Sequence, residues 1–171
     1  MTIAEFDHLT SEKKKELLLQ CCGSSTWAKR MLDIFPVEDL VELLEGAEEI
    51  WYDCNESDWR EAFEHHPQIG DINSLKEKFA STAAWAAGEQ SGVNHASENI
   101  LNELAEANKN YKEKFGYIFI VCATGKSAQE MLSLIKQRLN NTAEQEIEIA
   151  MSEQNKITKL RLEKLFGVIE N

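Results

Sequence analysis

Apolar residues three or four positions apart recur along most of this chain, and that spacing is the feature that most restricts its fold. An α-helix brings such residues onto one face, which must be buried against a neighbour. Helix breakers are scarce, since 171 residues include only two prolines and eight glycines. We therefore expect an all-α fold, a single-domain helical bundle that spans residues 1–171.

Local signals set the bounds of several predicted helices. Pro36 suits the first turn of the helix that follows it. Asn55 or Ser57 is positioned to cap a short helix further along the chain. Pro67 disfavours helical dihedrals in the residue before it, so this short helix is predicted to end near His65.

Two capping boxes begin helices in the second half of the chain. Ser127 and Glu130 can satisfy each other's free backbone donors, and Thr142 and Gln145 can do the same. The second box is predicted to open the final helix, which runs to about Phe166.

One segment, YIFIVC at about residues 117–122, departs from the helical pattern. It is β-branched and aromatic, and it lies between Gly116 and Gly125, so we expect it to be extended and buried. No second run of this kind exists to pair with it as a sheet, yet buried backbone groups need partners. Two interpretations stay open: loops and water satisfy the segment in the core, or it lines a ligand site.

The charge of the chain restricts its partners. Thirty acidic residues against eighteen basic ones give a formal net charge of −12. This charge repels phosphate backbones and anionic lipids, so we expect neither nucleic acid nor a membrane as a partner. It does not exclude a small anionic substrate, because one buried arginine can bind an anion.

Cysteine use and the first residues of the chain favour the cytoplasm. The four cysteines, at positions 21, 22, 54 and 122, show no CxxC spacing. Vicinal cysteines are poor disulfide partners, which fits a reducing compartment. MTIAEFDHLT lacks the basic and apolar regions of a signal peptide, so we expect a cytoplasmic protein.

Metal and nucleotide sites have little support. His65 and His66 are adjacent, so their side chains diverge, and no HExxH or paired Cys/His pattern is present. The segment ATGKS resembles the end of a phosphate-binding loop, but Ile120 stands where that loop requires glycine.

Three residues remain as candidates for acid–base chemistry. His66 titrates near neutrality when unperturbed, although it can also be an exposed or capping residue. Glu89 lies in the apolar stretch STAAWAAGEQSG, where it either orients a ligand or faces water. Arg161 borders the apolar stripe of the final helix, where it either binds a substrate carboxylate or forms a surface ion pair.

Five motifs occur in order along the chain: FEHHPQIGD, STAAWAAGEQSG, FGYIFIVCATGKS, QRLNN and EQNKITKLRLEKL. With them the sequence resembles the 2-oxo-4-hydroxy-4-carboxy-5-ureidoimidazoline (OHCU) decarboxylases of urate breakdown. The resemblance implies an all-α homodimer that converts OHCU, a small anionic substrate, to (S)-allantoin and carbon dioxide. It also implies that neither a metal nor an organic cofactor is required.

The resemblance also implies roles for individual residues. The catalytic histidine of the family precedes proline, which matches His66 and not His65, and the glutamate of the GEQ segment matches Glu89. The implied substrate-binding residues are Pro67, Ala86, Glu89, Gln90, Phe119, Ile120, Val121, Cys122, Ala123 and Arg161.

One position departs from the family pattern. The family often has serine where this chain has Ala86, so a hydroxyl contact to substrate is missing. Loss of one neutral hydrogen bond costs about 0.5 to 1.5 kcal/mol, which weakens binding several-fold without abolishing activity.

Two other functions remain in view. A non-catalytic helical interaction module with acidic faces predicts no turnover and tolerates loss of His66. A helical metalloenzyme predicts bound metal in the purified protein. Neither explains why the His-Pro pair, the Gly-Glu-Gln segment and the C-terminal arginine occur together.

Overall fold

The computed structural model describes residues 1–67, 72–79 and 91–167. Over those ranges the regular structure is helical and no strand is present, which confirms the predicted all-α class. The described helices are α1 (Ile3–Asp7), α2 (Ser11–Cys21), α3 (Ser25–Ile34), α4 (Leu40–Asp53), α5 (Glu56–Glu64), α6 (Ile72–Phe79), α7 (Ser91–Phe115), α8 (Ala128–Arg138) and α9 (Ala143–Leu165). None of these helices is long and apolar enough to cross a membrane.

The predicted start and end of α5 are confirmed. Asn55 is the N-cap, and its side chain accepts from the amide of Asp58, whose carboxylate accepts from the amide of Asn55 in return. The helix ends at Glu64, with His65 as the C-cap. The chain therefore leaves the helix directly before His66.

The predicted position of Pro36 is wrong. Helix α4 begins at Leu40, because the Asp39 side chain caps it by accepting from the amide of Glu42 at 2.9 Å. Pro36 lies before this cap and is exposed. A side-chain cap that satisfies a free amide determined the start of this helix, rather than the dihedral preference of proline.

Of the two capping boxes predicted in the second half of the chain, one is complete and the other is present as an N-cap. Ser127 caps α8 by accepting from the amide of Glu130. Thr142 and Gln145 each accept from the other's backbone amide, which opens α9. Helix α9 ends at Leu165, one residue before the predicted end.

The chain divides into two compact units. The first contains Met1–His66, Ile120–Cys122 and Ile149–Asn171, and the second contains Pro67–Phe119 and Ala123–Glu148.

Indole hydrogen bonds tie the helices of the first unit together. Trp27 Nε1 donates to the carbonyl of Ala47, and Trp51 Nε1 donates to the carbonyl of Met151, each at 3.0 Å. Trp59 Nε1 donates to the carbonyl of Trp51 at 2.9 Å. Helices α3, α4, α5 and α9 are thereby held in register around a core that includes fully buried Trp27 and nearly fully buried Trp51.

The second unit has its own aromatic core on α7 and the chain that follows it. Tyr111, Phe115 and Tyr117 are buried, and the Tyr111 ring lies 4.7 Å from that of Phe115 and 6.0 Å from that of Tyr117, between centroids. Buried Met131 and Ile135 supply the apolar face of α8.

Residues 117–122 form neither helix nor strand. Tyr117 and Ile120 are buried, whereas the other four residues are only half-buried. The segment is therefore less completely buried than expected, and it packs through two anchoring side chains.

Candidate active site

The last turn of α5 positions His66. The amides of His65 and His66 donate to the carbonyls of Ala62 and Phe63, each at 3.3 Å. Phe63 is fully buried, and its ring meets the edge of Trp51 at 6.4 Å. The backbone at His66 is thus anchored in the core while its side chain is half-buried.

A buried amide holds the imidazole of His66. His66 Nε2 lies 2.5 Å from Gln154 Oε1, and the other end of that amide, Nε2, donates to Thr158 Oγ1 at 3.1 Å. Gln154 is fully buried and Thr158 is 4% exposed. Residues four apart on a helix are neighbours on its surface, which explains why the two side chains meet.

Arg161 lies on the same face of α9, one turn beyond Thr158. Its Nη1 is 3.4 Å from the carbonyl oxygens of Gln20 and Cys21, in the last turn of α2. Among the described residues its guanidinium forms no ion pair, so the surface ion pair considered from the sequence is not found there. The cation lies at the negative end of a helix, a favourable position.

Two cysteines near this face are poor nucleophiles. Burial raises the pKa of the Cys22 thiol to about 12, and hydrogen bonds from Ser24 and Thr158 oppose that rise. Burial also raises the pKa of Cys21 to about 11, against the opposing effect of the Arg161 charge. Both thiols are therefore protonated near neutral pH, so neither of them is suited to act as a nucleophile.

In the second unit, Phe119 is held by a buried cation. The guanidinium carbon of Arg138 lies 4.4 Å from the centroid of the Phe119 ring. Arg138 Nε donates to Glu146 Oε1 at 2.6 Å, and Tyr111 donates to the same oxygen at 2.5 Å. Because both charges are buried, they fix the aromatic side chain of Phe119 within the 117–122 segment.

The structure describes part of the site predicted from the sequence. His66, Ile120, Val121, Cys122 and Arg161 belong to the first unit. Pro67, Phe119 and Ala123 belong to the second unit.

Three predicted residues, Ala86, Glu89 and Gln90, lie outside the described residues. Sequence reasoning also missed Gln154 and the Arg138–Glu146 pair. Gln154 and Arg138 do lie within the motifs EQNKITKLRLEKL and QRLNN, which was the available signal.

A family model for OHCU decarboxylase matches residues 7–163. The chain belongs to the OHCU decarboxylase family. The resemblance drawn from the five ordered motifs is thereby confirmed.

Relatives within this family are found in several organisms. The chain is 44% identical over 150 residues to a uric acid degradation bifunctional protein TTL of Arabidopsis thaliana, covering 86% of this chain and 45% of that protein. It is 26% identical to a uric acid degradation bifunctional protein of Bacillus sp. strain TB-90, covering 100% of this chain and 33% of that protein. The OHCU decarboxylase of Amia calva is 32% identical over 100 residues, with 57% of this chain and 55% of that protein covered. The chain thus spans between a third and just over half of these relatives.

Solved structures show the same helical fold. A crystal structure of OHCU decarboxylase in the presence of (S)-allantoin matches with a TM-score of 0.68 at 42% identity, covering 86% of this chain and 95% of that one. A structure of (S)-allantoin synthase matches with a TM-score of 0.70 at 16% identity, covering 96% of this chain and 54% of that one, and shows similarity of fold alone.

Proposed function

We propose that this protein decarboxylates OHCU to (S)-allantoin and carbon dioxide in urate breakdown, without a metal or organic cofactor. The observation that carries the proposal is the anchoring of His66 at a helix exit by Gln154, on the helix face that also bears Arg161. Family membership and the 42% identical OHCU decarboxylase structure support it.

The chemistry of OHCU suits these residues. Its carboxylate is attached to a carbon that bears a hydroxyl group and adjoins a C=N group. When the C–C bond to the carboxylate breaks, the electron pair moves into the C=N group, so the substrate supplies its own electron sink. The protein then has to bind the anion, hold the ring and move a proton.

Each task has a candidate group. Arg161 and backbone amides of residues 119–123 bind the carboxylate, and Glu89 holds the ureido or hydroxyl end. His66 either removes the hydroxyl proton as carbon dioxide leaves or delivers a proton to one face of the enamine-like intermediate. Uncatalysed decay can give both allantoin enantiomers, so a fixed imidazole controls the face that is protonated as well as the rate.

Substitution of His66 tests this proposal. We expect His66→Ala to lower turnover at least about a hundredfold, the usual scale for a general acid or base. Turnover is followed by circular dichroism on OHCU generated from urate by its two upstream enzymes, where a single-enantiomer allantoin signal should rise faster than the background. If the wild-type trace matches spontaneous decay at high protein concentration, the proposal fails for this substrate, and a different substrate or the acidic interaction module becomes the better explanation.

The adjacent histidine is the matched control. His65 is exposed, and its side chain packs against Gly23, where an added Cβ atom would collide with it. His65→Ala should retain most of the activity, because the imidazole that contacts Gln154 is that of His66. Equal losses at the two positions would contradict the assignment of His66.

We also propose that residues 1–171 act as one domain, that the protein is a homodimer, and that it works in the cytoplasm. The match of one family model to residues 7–163 supports the first point. Sedimentation equilibrium tests the second, since a single species at the monomer mass across micromolar concentrations would rule out a stable dimer.

A further inference from the structure

The imidazole of a catalytic histidine has two nitrogens, and their roles follow from what each one contacts. In this structure His66 Nε2 is 2.5 Å from Gln154 Oε1. An amide oxygen can only accept a hydrogen bond, so this contact is favourable only when Nε2 carries a proton.

We propose that Gln154 is a positioning residue that accepts the Nε2 proton of His66 and thereby places the lone pair of the neutral imidazole on Nδ1. Nδ1 is then the nitrogen that exchanges a proton with the substrate. This last role rests on the proposed function, whereas the orientation and tautomer of the ring do not.

The direction of the buried hydrogen-bond chain supports this orientation of the amide. Gln154 Nε2 donates to Thr158 Oγ1 at 3.1 Å. Thr158 is buried, and its hydroxyl oxygen accepts this hydrogen bond from the amide nitrogen. The amide nitrogen is therefore used by Thr158, and the amide oxygen is left to accept from His66.

Burial makes the arrangement rigid. Gln154 and Cys22 are fully buried, and Thr158 is 4% exposed. Rotating the Gln154 amide by half a turn would put its N–H₂ group against His66 and its oxygen against Thr158. Both Thr158 and His66 would then have to reverse their donor and acceptor roles.

The same contact serves both protonation states of His66. The imidazolium form still has a proton on Nε2, so Gln154 accepts from it before and after Nδ1 gains a proton. The ring therefore keeps its place through a cycle in which His66 takes up and releases a proton.

Nitrogen NMR tests the tautomer without any measurement of activity. In wild-type protein at a pH where His66 is neutral, we expect the ¹⁵N resonance of Nε2 in the range of a protonated nitrogen and that of Nδ1 in the range of an unprotonated one. A His66 spectrum with the proton on Nδ1 would overturn the proposal.

Substitution of Gln154 provides the kinetic test. We expect Gln154→Leu to lower kcat about ten- to a hundredfold, with little change in KM. This is the scale found when a group that orients a metal-ligating histidine is removed, and the orienting role is the same here. Gln154→Glu keeps an acceptor for the Nε2 proton but adds a buried charge, so kcat should exceed that of the leucine variant while the pH dependence of kcat shifts upward, because a carboxylate favours the imidazolium. A role in packing alone predicts no loss in the leucine variant, which fills the same space.

Asn155 offers a matched control on the same helix. It is 8% exposed and hydrogen-bonds Glu48 instead of His66. Asn155→Leu makes a similar polar-to-apolar change next to Gln154, and we expect kcat within about twofold of wild type, because a change away from the reacting groups leaves transition-state binding intact.

The outcomes separate the two proposals. Wild-type protein that does not accelerate OHCU decay contradicts the proposed function, and the NMR spectrum then decides the tautomer by itself. An active wild type with an equally active Gln154→Leu variant contradicts the role of Gln154 and leaves the decarboxylase proposal standing.

Discussion

Arg161 has hydrogen-bonding capacity that the described part of the chain leaves unused. Its described contacts are two carbonyl oxygens, both 3.4 Å from Nη1. A guanidinium carries five N–H donors in a planar fork, so most of them remain for a planar anion such as a carboxylate. The C-terminus of α2 thus anchors one nitrogen and leaves the rest for binding.

Replacement of Arg161 by lysine should weaken substrate binding. The ammonium keeps the charge but loses the bidentate geometry, and a hydrogen bond to a charged group contributes about 1.5 to 3 kcal/mol. We expect KM for OHCU to rise at least about tenfold in Arg161→Lys, with a smaller effect on kcat. Steady-state kinetics measures both parameters.

Arg30 is the control for this change. Its Nη1 is 2.8 Å from Asp53 Oδ2, and both side chains are largely exposed. Arg30→Lys should leave KM unchanged. A fall in kcat without a rise in KM for Arg161→Lys would argue against a binding role.

At the scale of elements, a buried ionic cluster joins α7, α8 and α9 in the second unit. Glu146 is fully buried, and its carboxylate accepts from Arg138 at 2.6 Å, Tyr111 at 2.5 Å and Asn141 at 3.0 Å. Burial, followed by the hydrogen bond to Glu146, raises the pKa of Tyr111, so this hydroxyl stays protonated as a donor. Because Arg138 also covers the Phe119 ring, the cluster positions this side chain of the 117–122 segment.

Loss of one member of this cluster should lower the free energy of unfolding. Arg138→Leu leaves the Glu146 carboxylate buried without its cation, and breaking a buried pair in this way costs about 3 to 5 kcal/mol. The double variant Arg138→Leu/Glu146→Leu removes both charges and should regain a large part of that loss. Urea unfolding of the single and double variants gives the coupling energy.

An exposed ion pair on the same helix is the control. Lys136 Nζ lies 2.9 Å from Glu103 Oε2, with the two side chains 58% and 54% exposed. Lys136→Ala should lower the free energy of unfolding by less than about 1 kcal/mol, because solvent screens the pair. If Arg138→Leu costs no more than this, the buried cluster does not stabilise the second unit as described.

At the scale of the whole molecule, buried thiols make stability depend on alkaline pH. Burial raises the pKa of Cys21 and Cys54 to about 11 and that of Cys22 to about 12, from an ordinary value of 9.0. The unfolded chain therefore releases these protons at lower pH than the folded protein does. The stabilisation is complete below pH 9 and is lost as the pH rises through about 11 to 12.

We predict that the free energy of unfolding falls steadily above pH 9. Tyr111 adds to this fall above pH 10, because burial raises its pKa from an ordinary value of 10.0. Urea titrations at several pH values measure the slope. Cys22→Ala should be less stable at neutral pH but should lose less stability between pH 9 and 12, and an unchanged slope would contradict the assignment.

Local and distant interactions differ in how far the sequence reveals them. Helix type and most helix ends were predictable, because caps such as those of Asn55, Ser127 and Thr142 act within three residues of the helix start. Pro36 was misplaced because two local signals competed and the side-chain cap of Asp39 prevailed.

The sequence by itself determined the all-α class, the helix that ends before His66 and the family motifs, since each depends on neighbours along the chain. The tertiary structure alone decided which groups hold the functional side chains. Gln154 is 88 residues from His66, and Glu146 is 35 residues from Tyr111. No periodicity or cap reports such pairs, because a buried amide or carboxylate finds its partner only when the packing of helices brings the two together and excludes water.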